Sequence, residues 1–204
     1  MLLLAARGDD DLVLAMLPAH DLPGAASGEP LRLAAMQASR TTTLALDGLR
    51  VGPEQVVDVV PAGEWLALDT ARTANVGPAA FGLLATVCRH LVRAAGRPGT
   101  AAAADVALQA AEQGSALRQE AYGLLDGVPV TEEVPRRLRL RAETLHLLQS
   151  TSGALVAACA GAGMSLDAPA QRLAREALFH LVQAQTGPVR EATLEVWAGR
   201  QGRS

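Results

Sequence analysis

The sequence changes character at Pro61, and this change limits the folds open to the chain. Before it lie four short apolar or β-branched runs, at residues 2–6, 12–17, 31–36 and 41–51. Turn signals such as Gly8-Asp9-Asp10-Asp11 separate these runs, which is typical of antiparallel strands. After it, Trp65 and Leu68 begin a series at three- and four-residue steps, which indicates helices. The pattern predicts an α+β fold, mainly α, with a β-domain over 1–60 and a helical domain over 61–204.

The second part of the chain predicts a bundle of helices. The predicted helices cover 64–94, 101–125, 133–160, 168–185 and 187–199, and the first has a strain point at Gly77-Pro78. Short connections between four long helices indicate an up-down four-helix bundle. The arginines at 136, 137, 139 and 141 are interpreted as a solvated helix face.

The composition favours a tightly packed helical core and excludes several functions. Half of the residues are apolar but only 2% are aromatic, so Leu, Val and Ala must build the core. The net charge of −3, with no basic tract, argues against nucleic acid as a partner. The sequence contains no lysine, which excludes Schiff-base chemistry.

The sequence predicts neither a metal site nor a place in a membrane. His20, His90, His146 and His180 show no metal-ligand spacing with each other or with the cysteines. Cys88 and Cys159 are interpreted as buried free thiols. No apolar run is long enough for a membrane span, and the N-terminus lacks a basic region before its apolar run. We therefore expect a soluble cytoplasmic protein.

The stretch from 155 to 186 carries a family resemblance. A glycine-broken helix end, Ala160-Gly161-Ala162-Gly163, is followed by a loop, by a helix with Arg172 and Arg175, and by Gln183-Ala184-Gln185-Thr186. This layout resembles the C-terminal domain of the acyl-CoA dehydrogenase flavoproteins. Residues 2–24 and 39–57 resemble parts of that family's central β-domain, and 63–91 resembles the first bundle helix. The resemblance implies a truncated, diverged member without the N-terminal helical domain and the first half of the β-domain.

The resemblance also implies a reaction whose base is missing here. In the family, a glutamate removes the substrate's α proton while a hydride leaves the β carbon for FAD. The two places where the family carries this glutamate correspond to Ala184 and Ala71, so no catalytic residue is predicted. Glu176 and Glu191 are close in sequence but are interpreted as exposed helix charges.

The resemblance assigns two sets of site residues. The predicted cofactor-binding residues, for FAD, are Arg97, Gly161, Gly163 and Thr186. The predicted substrate-binding residues are Asp69, Arg72, Gln183 and Gln185. Asp69 and Arg72 have a second interpretation, a surface pair at i and i+3 on one helix.

Three functions remain open from the sequence. The first is a non-catalytic subunit that associates with itself or with a complementary acyl-CoA dehydrogenase chain. The second is a diverged FAD-dependent enzyme of fatty acid metabolism, in which Gln183 or Gln185 orients water or substrate and a partner chain supplies the base. The third is a module that binds a CoA ester or a lipid without redox chemistry.

Overall fold

The computed structural model describes residues 1–18, 20 and 22–199, which form two compact units. The first unit contains residues 1–69, and the second begins at Thr70. The predicted domain bounds, 1–60 and 61–204, stay a prediction. No helix in the described part of the chain is both long and apolar enough to cross a membrane.

The first unit contains a three-stranded antiparallel sheet. Its strands are β1 (Leu2–Arg7), β2 (Asp11–Leu17) and β5 (Val56–Pro61), in the order β1-β2-β5. A second sheet pairs β3 (Ala25–Ser27) with β4 (Leu44–Leu46). The predicted runs 2–6 and 12–17 are thus confirmed as strands, and β5 is a strand that the sequence did not predict.

Two strand predictions in the first unit are wrong. Residues 31–36 form no strand, because Met36 and Arg40 adopt left-handed backbone conformations, with φ of 58° and 51°, that reverse the chain around a short 3-10 helix. The predicted strand at 41–51 is reduced to β4. It ends at the Asp47-Gly48 turn, where Gly48 has a φ of 68°, a conformation that glycine adopts at little cost.

The predicted bundle is confirmed, with one helix divided in two. The helices are α1 (Ala62–Thr73), α2 (Pro78–Ala94), α3 (Ala102–Gly127), α4 (Val134–Ala158), α5 (Pro169–Val182) and α6 (Gly187–Trp197). The predicted helix at 64–94 is broken, since Gly77 is extended and Pro78 begins α2. A proline fits the first turn of a helix but not its interior.

Helix α4 is the centre of the second unit and packs against α2, α3, α5 and α6. Its buried face carries Leu140, Leu148 and Leu155, and alanines such as Ala107 and Ala177 face it from α3 and α5. The small alanine side chains let the helices approach closely, so the bundle needs few aromatic residues.

The prediction of a solvated arginine face on α4 is wrong for two of its four members. Arg137 and Arg141 are 2% and 8% exposed and belong to the buried face. Arg136 forms an exposed ion pair with Glu120, and Arg139 forms a half-buried one with Glu143. A guanidinium can be buried when its N–H groups all find acceptors, and backbone carbonyls supply most of them here.

Gly114 sets the spacing between α2 and α3. A Cβ atom there would lie 2.5 Å from Leu84 Cδ2, and Leu84 is buried in the core. We expect Gly114→Val to lower the free energy of unfolding by about 2 kcal/mol through overpacking, as measured by urea denaturation. Gly123→Val, on the same helix at an exposed position with nothing within 4 Å, is the matched control and should be neutral. Equal effects of the two changes would contradict this packing role.

Candidate functional site

One group of predicted site residues lies where α4 ends. Arg97, in the loop after α2, donates from Nη1 to Cys159 Sγ at 3.8 Å. Cys159 directly precedes the 3-10 helix Ala160–Met164, which contains Gly161 and Gly163. The structure therefore brings together three of the four predicted cofactor residues.

The two glycines of this group have different structural demands. A Cβ atom at Gly163 would lie 2.8 Å from the carbonyl oxygen of Val156, so close packing alone requires glycine there. A Cβ atom at Gly161 would meet nothing within 4 Å, and the residue is exposed. Gly161 is thus free of a packing constraint and is the one whose backbone a ligand can approach.

Positive charge is concentrated at the same end of α2. The pKa of His90 is lowered by burial and by the charges of Arg93, Arg172 and Arg89. Arg172 also pairs with Glu176, through Nη1 and Oε1 at 2.7 Å. Glu176 is therefore an ion-pair partner on α5. The arginines around His90 attract anions, and they disfavour the protonated, positively charged form of the imidazole.

A second group of predicted residues lies in the turn between α5 and α6. Ala184 has a φ of 48°, and Thr186 occupies the N-cap position of α6 without a side-chain capping bond. The hydroxyl of Thr186 and Oε1 of Gln185 are buried, with no hydrogen-bond partner in the described part of the chain. Buried polar atoms usually have partners, so these two are candidates for contact with a bound molecule.

Arg141 ties this turn to the end of α1. Its guanidinium donates to the carbonyl oxygens of Thr73 and Gln183. Burial lowers the pKa of Arg141, and no carboxylate pairs with it among the described residues. The sequence reading missed Arg141 as a site residue, although it lies on the same helical stripe as Leu148 and Leu155.

Neither predicted base position carries an acid. Ala184 is exposed in the α5–α6 turn, and Ala71 is 3% exposed on α1. Glu191 is exposed on α6. The correspondence of Ala184 and Ala71 to a catalytic glutamate stays a prediction.

The two groups of site residues are far apart within one chain. Arg141 and Cys159 lie on and directly after α4, 18 residues apart, which corresponds to about 27 Å along the helix. Arg72 is exposed next to Thr73 and therefore lies near the Arg141 group. Asp69 belongs to the first unit and the other predicted site residues to the second. The assigned roles of all eight stay predictions.

A half-open pocket of about 210 Å³ lies between α2 and α3. Phe81, Leu84 and Ala111 give it an apolar lining, and Cys88, Ser115 and the exposed Arg118 complete it.

Cys88 and Cys159 are both free, and burial raises the pKa of the Cys88 thiol. No metal-binding group of His, Cys, Asp and Glu side chains occurs in the described residues.

His180 should make stability depend on pH. Its pKa is lowered, first by burial and then by the charge of Arg141, while Glu176 and Gln183 oppose the shift. Because the unfolded chain then binds more protons, the free energy of unfolding should fall as the pH drops below about 6.5. We expect His180→Gln to reduce this fall, measured by urea unfolding at pH 7.5 and pH 5.5. His90 contributes in the same direction, so only the double variant should remove both contributions. An unchanged pH slope in the double variant would contradict the assignment.

No protein-family model and no curated protein sequence matches the chain. Solved structures do match its fold. The chain is similar to butyryl-CoA dehydrogenase from Megasphaera elsdenii, with a TM-score of 0.68 and 18% identity over 94% of this chain and 53% of that one. It is also similar to glutaryl-CoA dehydrogenase from Mycobacterium smegmatis in complex with FADH2, with a TM-score of 0.68 and 14% identity, over 98% of this chain and 54% of that one.

A third similar structure is that of the electron transferring flavoprotein of Acidaminococcus fermentans, with a TM-score of 0.67 and 18% identity. It is matched over 91% of this chain and 52% of that one. The chain therefore has an acyl-CoA dehydrogenase fold but spans about half the length of these solved structures. The predicted resemblance and fold class are confirmed at the level of fold.

Proposed function

We propose that this chain is a non-catalytic subunit with an acyl-CoA dehydrogenase-like fold, acting as a scaffold in a homo- or hetero-oligomeric dehydrogenase complex. The observation that carries the proposal is the alanine at both base positions, Ala184 and Ala71. Removal of an α proton from a thioester needs a base within hydrogen-bond reach of that proton, and a methyl group cannot accept a proton.

The surroundings of Ala184 support the same conclusion. Arg141 Nη2 lies 2.5 Å from the carbonyl oxygen of Gln183, which places it within about 5.5 Å of Ala184 Cα by backbone geometry. A neighbouring cation lowers a carboxyl pKa, whereas a catalytic carboxylate base works best with a raised one. The Gln183–Thr186 turn is held by the Arg141 guanidinium, and a scaffold role fits this turn better than proton removal.

The chain's residues fit FAD only in part. When bound, FAD supplies the acceptor for a hydride. The exposed guanidinium of Arg97 and the open backbone at Gly161 would hold its phosphates, and the hydroxyl of Thr186 would donate a hydrogen bond to it. These groups are separated by about 27 Å along α4. We propose that the two groups contact different FAD molecules, or different parts of one FAD molecule, and that a partner chain supplies the other contacts to each FAD.

Exposed apolar side chains support a partner chain. Leu166, Val182 and Trp197, at or near α5 and α6, are 68%, 67% and 50% exposed. Large exposed apolar side chains can mark a protein interface. The proposed partner is a second copy or a complementary dehydrogenase chain.

The proposal is tested by the activity of the isolated chain. The purified protein is mixed with FAD, with butyryl-CoA or glutaryl-CoA as a probe, and with an artificial electron acceptor. We expect no turnover, and we expect a mass in solution above the chain mass of 21.1 kDa. Turnover by the chain alone would reject the non-catalytic role in favour of a diverged FAD-dependent enzyme.

The α2–α3 pocket favours a second function, a module that binds a CoA ester or a lipid. Its apolar lining suits a short acyl chain, and Arg118 offers a charge to an anionic group. Thermal stabilisation by CoA esters but not by FAD would favour this function, since a ligand stabilises the state to which it binds. Ala85→Trp, which fills the pocket, should then abolish the stabilisation.

A further inference from the structure

Strand β1 has an unpaired outer edge. Among the described residues it pairs only with β2. Gly8 N–H donates to the Asp11 carbonyl at 2.8 Å, and this bond fixes the phase of the β1–β2 ladder. Because bonded and non-bonded pairs alternate in antiparallel strands, Leu3, Ala5 and Arg7 direct their backbone N–H and C=O groups away from β2. We call these three residues the outer edge of β1.

This edge has few of the features that normally prevent pairing with another chain, since its one charge is Arg7 at its end. Residues 2–6 contain no charge and no proline, and the bulge of the sheet lies between Leu14 and Ala15 on β2. Leu3 is 61% exposed, and Ala5 is exposed as well. Natural edge strands are commonly protected by charges, prolines or bulges, and an apolar edge without them pairs readily.

The first unit also has little core to stabilise its sheet. Its buried apolar side chains, among the described residues, are Ala15, Leu17 and Ala62. Leu3, Val57 and Val59 are each more than half exposed on the sheet. A sheet of so few strands gains stability from added strands, because each one satisfies backbone groups and covers apolar surface.

We propose that two copies of this chain pair through the outer edges of β1 and form one continuous six-stranded antiparallel sheet. A two-fold axis beside Ala5 places Ala5 opposite the partner's Ala5, and Leu3 opposite the partner's Arg7. Outward-directed backbone groups then meet outward-directed groups, as an antiparallel ladder requires. The edge is thus complementary to itself, which makes a second copy the partner that it fits.

The side chains agree with this pairing. Alanines at the centre let the two backbones approach without a clash. Each Arg7 lies about 13 Å along the strand from the partner's Arg7, so like charges are not opposed. The aliphatic stem of Arg7 covers the partner's Leu3, while its guanidinium remains in water. The proposal specifies the surface for the homo-oligomer of the proposed function and rests on that part of it.

Cysteine trapping tests the pairing directly. Ala5→Cys is made in a Cys88→Ala and Cys159→Ala background and oxidised mildly. A bonded antiparallel pair has a Cα–Cα distance of about 5.5 Å, which a disulfide can bridge. Ala6→Cys is the matched control, because Ala6 faces β2 and lies opposite the partner's Leu4. We expect a covalent dimer from Ala5→Cys only. No dimer from Ala5→Cys, or equal yields from the two variants, would overturn the proposal.

A second variant separates this interface from any contact through the bundle. Ala5→Pro removes an N–H group that β2 does not use, so the fold should persist, as checked by circular dichroism. We expect at least a tenfold increase in the dimer dissociation constant, measured by analytical ultracentrifugation. A dimer unchanged by Ala5→Pro would overturn the β1 pairing but leave the non-catalytic role intact. A monomeric wild-type chain would overturn the pairing as well, whereas thioester turnover by the isolated chain would overturn only the non-catalytic role.

Discussion

Replacing Arg137 with methionine is expected to lower the free energy of unfolding by about 4 kcal/mol, because several buried acceptors lose their donor together. The guanidinium donates to Asn75 Oδ1 at 2.8 Å and, with Nη2, to the carbonyl oxygens of Leu124 and Val128, both at 2.9 Å. These acceptors belong to the chain after α1, to the end of α3 and to the loop after it. Arg137 therefore holds three separate parts of the second unit together.

Methionine keeps much of the side-chain volume, so a cavity contributes little to the expected loss. Urea denaturation of the wild type and of Arg137→Met measures the difference. Arg136→Met is the matched control, because the neighbouring Arg136 forms an ion pair with Glu120 in which both side chains are about 40% exposed. Exposed ion pairs contribute at most about 1 kcal/mol. Similar losses from the two variants would show that the buried acceptors of Arg137 find water instead.

The error about the arginines of α4 shows which signal the sequence offered. Composition suggested a solvated face, because four arginines lie within six residues. Spacing pointed elsewhere, since Arg137, Arg141, Thr144, Leu148, Thr151 and Leu155 follow one another at alternating steps of three and four residues. That periodicity defines one helix face, and the structure buries all six residues. Periodicity was the better guide here because each guanidinium finds carbonyl acceptors from elements that are distant in sequence.

The starts of the helices were predictable from local residues, whereas the positions of the short strands were not. Gly-Pro and Pro residues mark the beginnings of α2, α5 and α6, and a proline acts on its own turn of helix. Residues 31–36 are apolar except for Arg32, as a strand could be, yet the backbone of Leu31 bonds to Thr41 and the chain reverses at Met36. A strand needs a partner at the correct register, and apolar composition cannot supply one.

The sequence named individual candidate residues for the site but not their arrangement in space. Ala184 and Gly163 were named because the motifs around them follow one another in a given order along the chain. The distance between the Arg97 group and the Gln183–Thr186 turn depends on the length of α4, because Arg97 contacts the residue after its C-terminal end and the turn contacts Arg141 nearer its other end. The role of Arg141, which binds carbonyls 68 and 42 residues away in sequence, depends on tertiary packing alone.

Replacing Arg141 with methionine is expected to have two effects, one on stability and one on His180. The lost bonds to the Thr73 and Gln183 carbonyls should lower the free energy of unfolding by about 3 kcal/mol, since bonds to a buried cation are stronger than neutral ones. The pKa of His180 should rise toward its ordinary value, because the charge of Arg141 contributes to lowering it.

The pKa of His180 reports the charge of Arg141 when the imidazole stays buried, because exposure of the ring to water would also raise the pKa. Titration of the imidazole C–H signals by NMR follows it directly. Arg139→Met is the matched control, since Arg139 lies one half-turn away on α4 and pairs with Glu143 at 2.7 Å. An unchanged His180 pKa in Arg141→Met would mean that the guanidinium does not govern the electrostatics of the α5–α6 turn. A raised pKa in that variant alone would show that the charge of Arg141 acts on His180 in the last turn of α5.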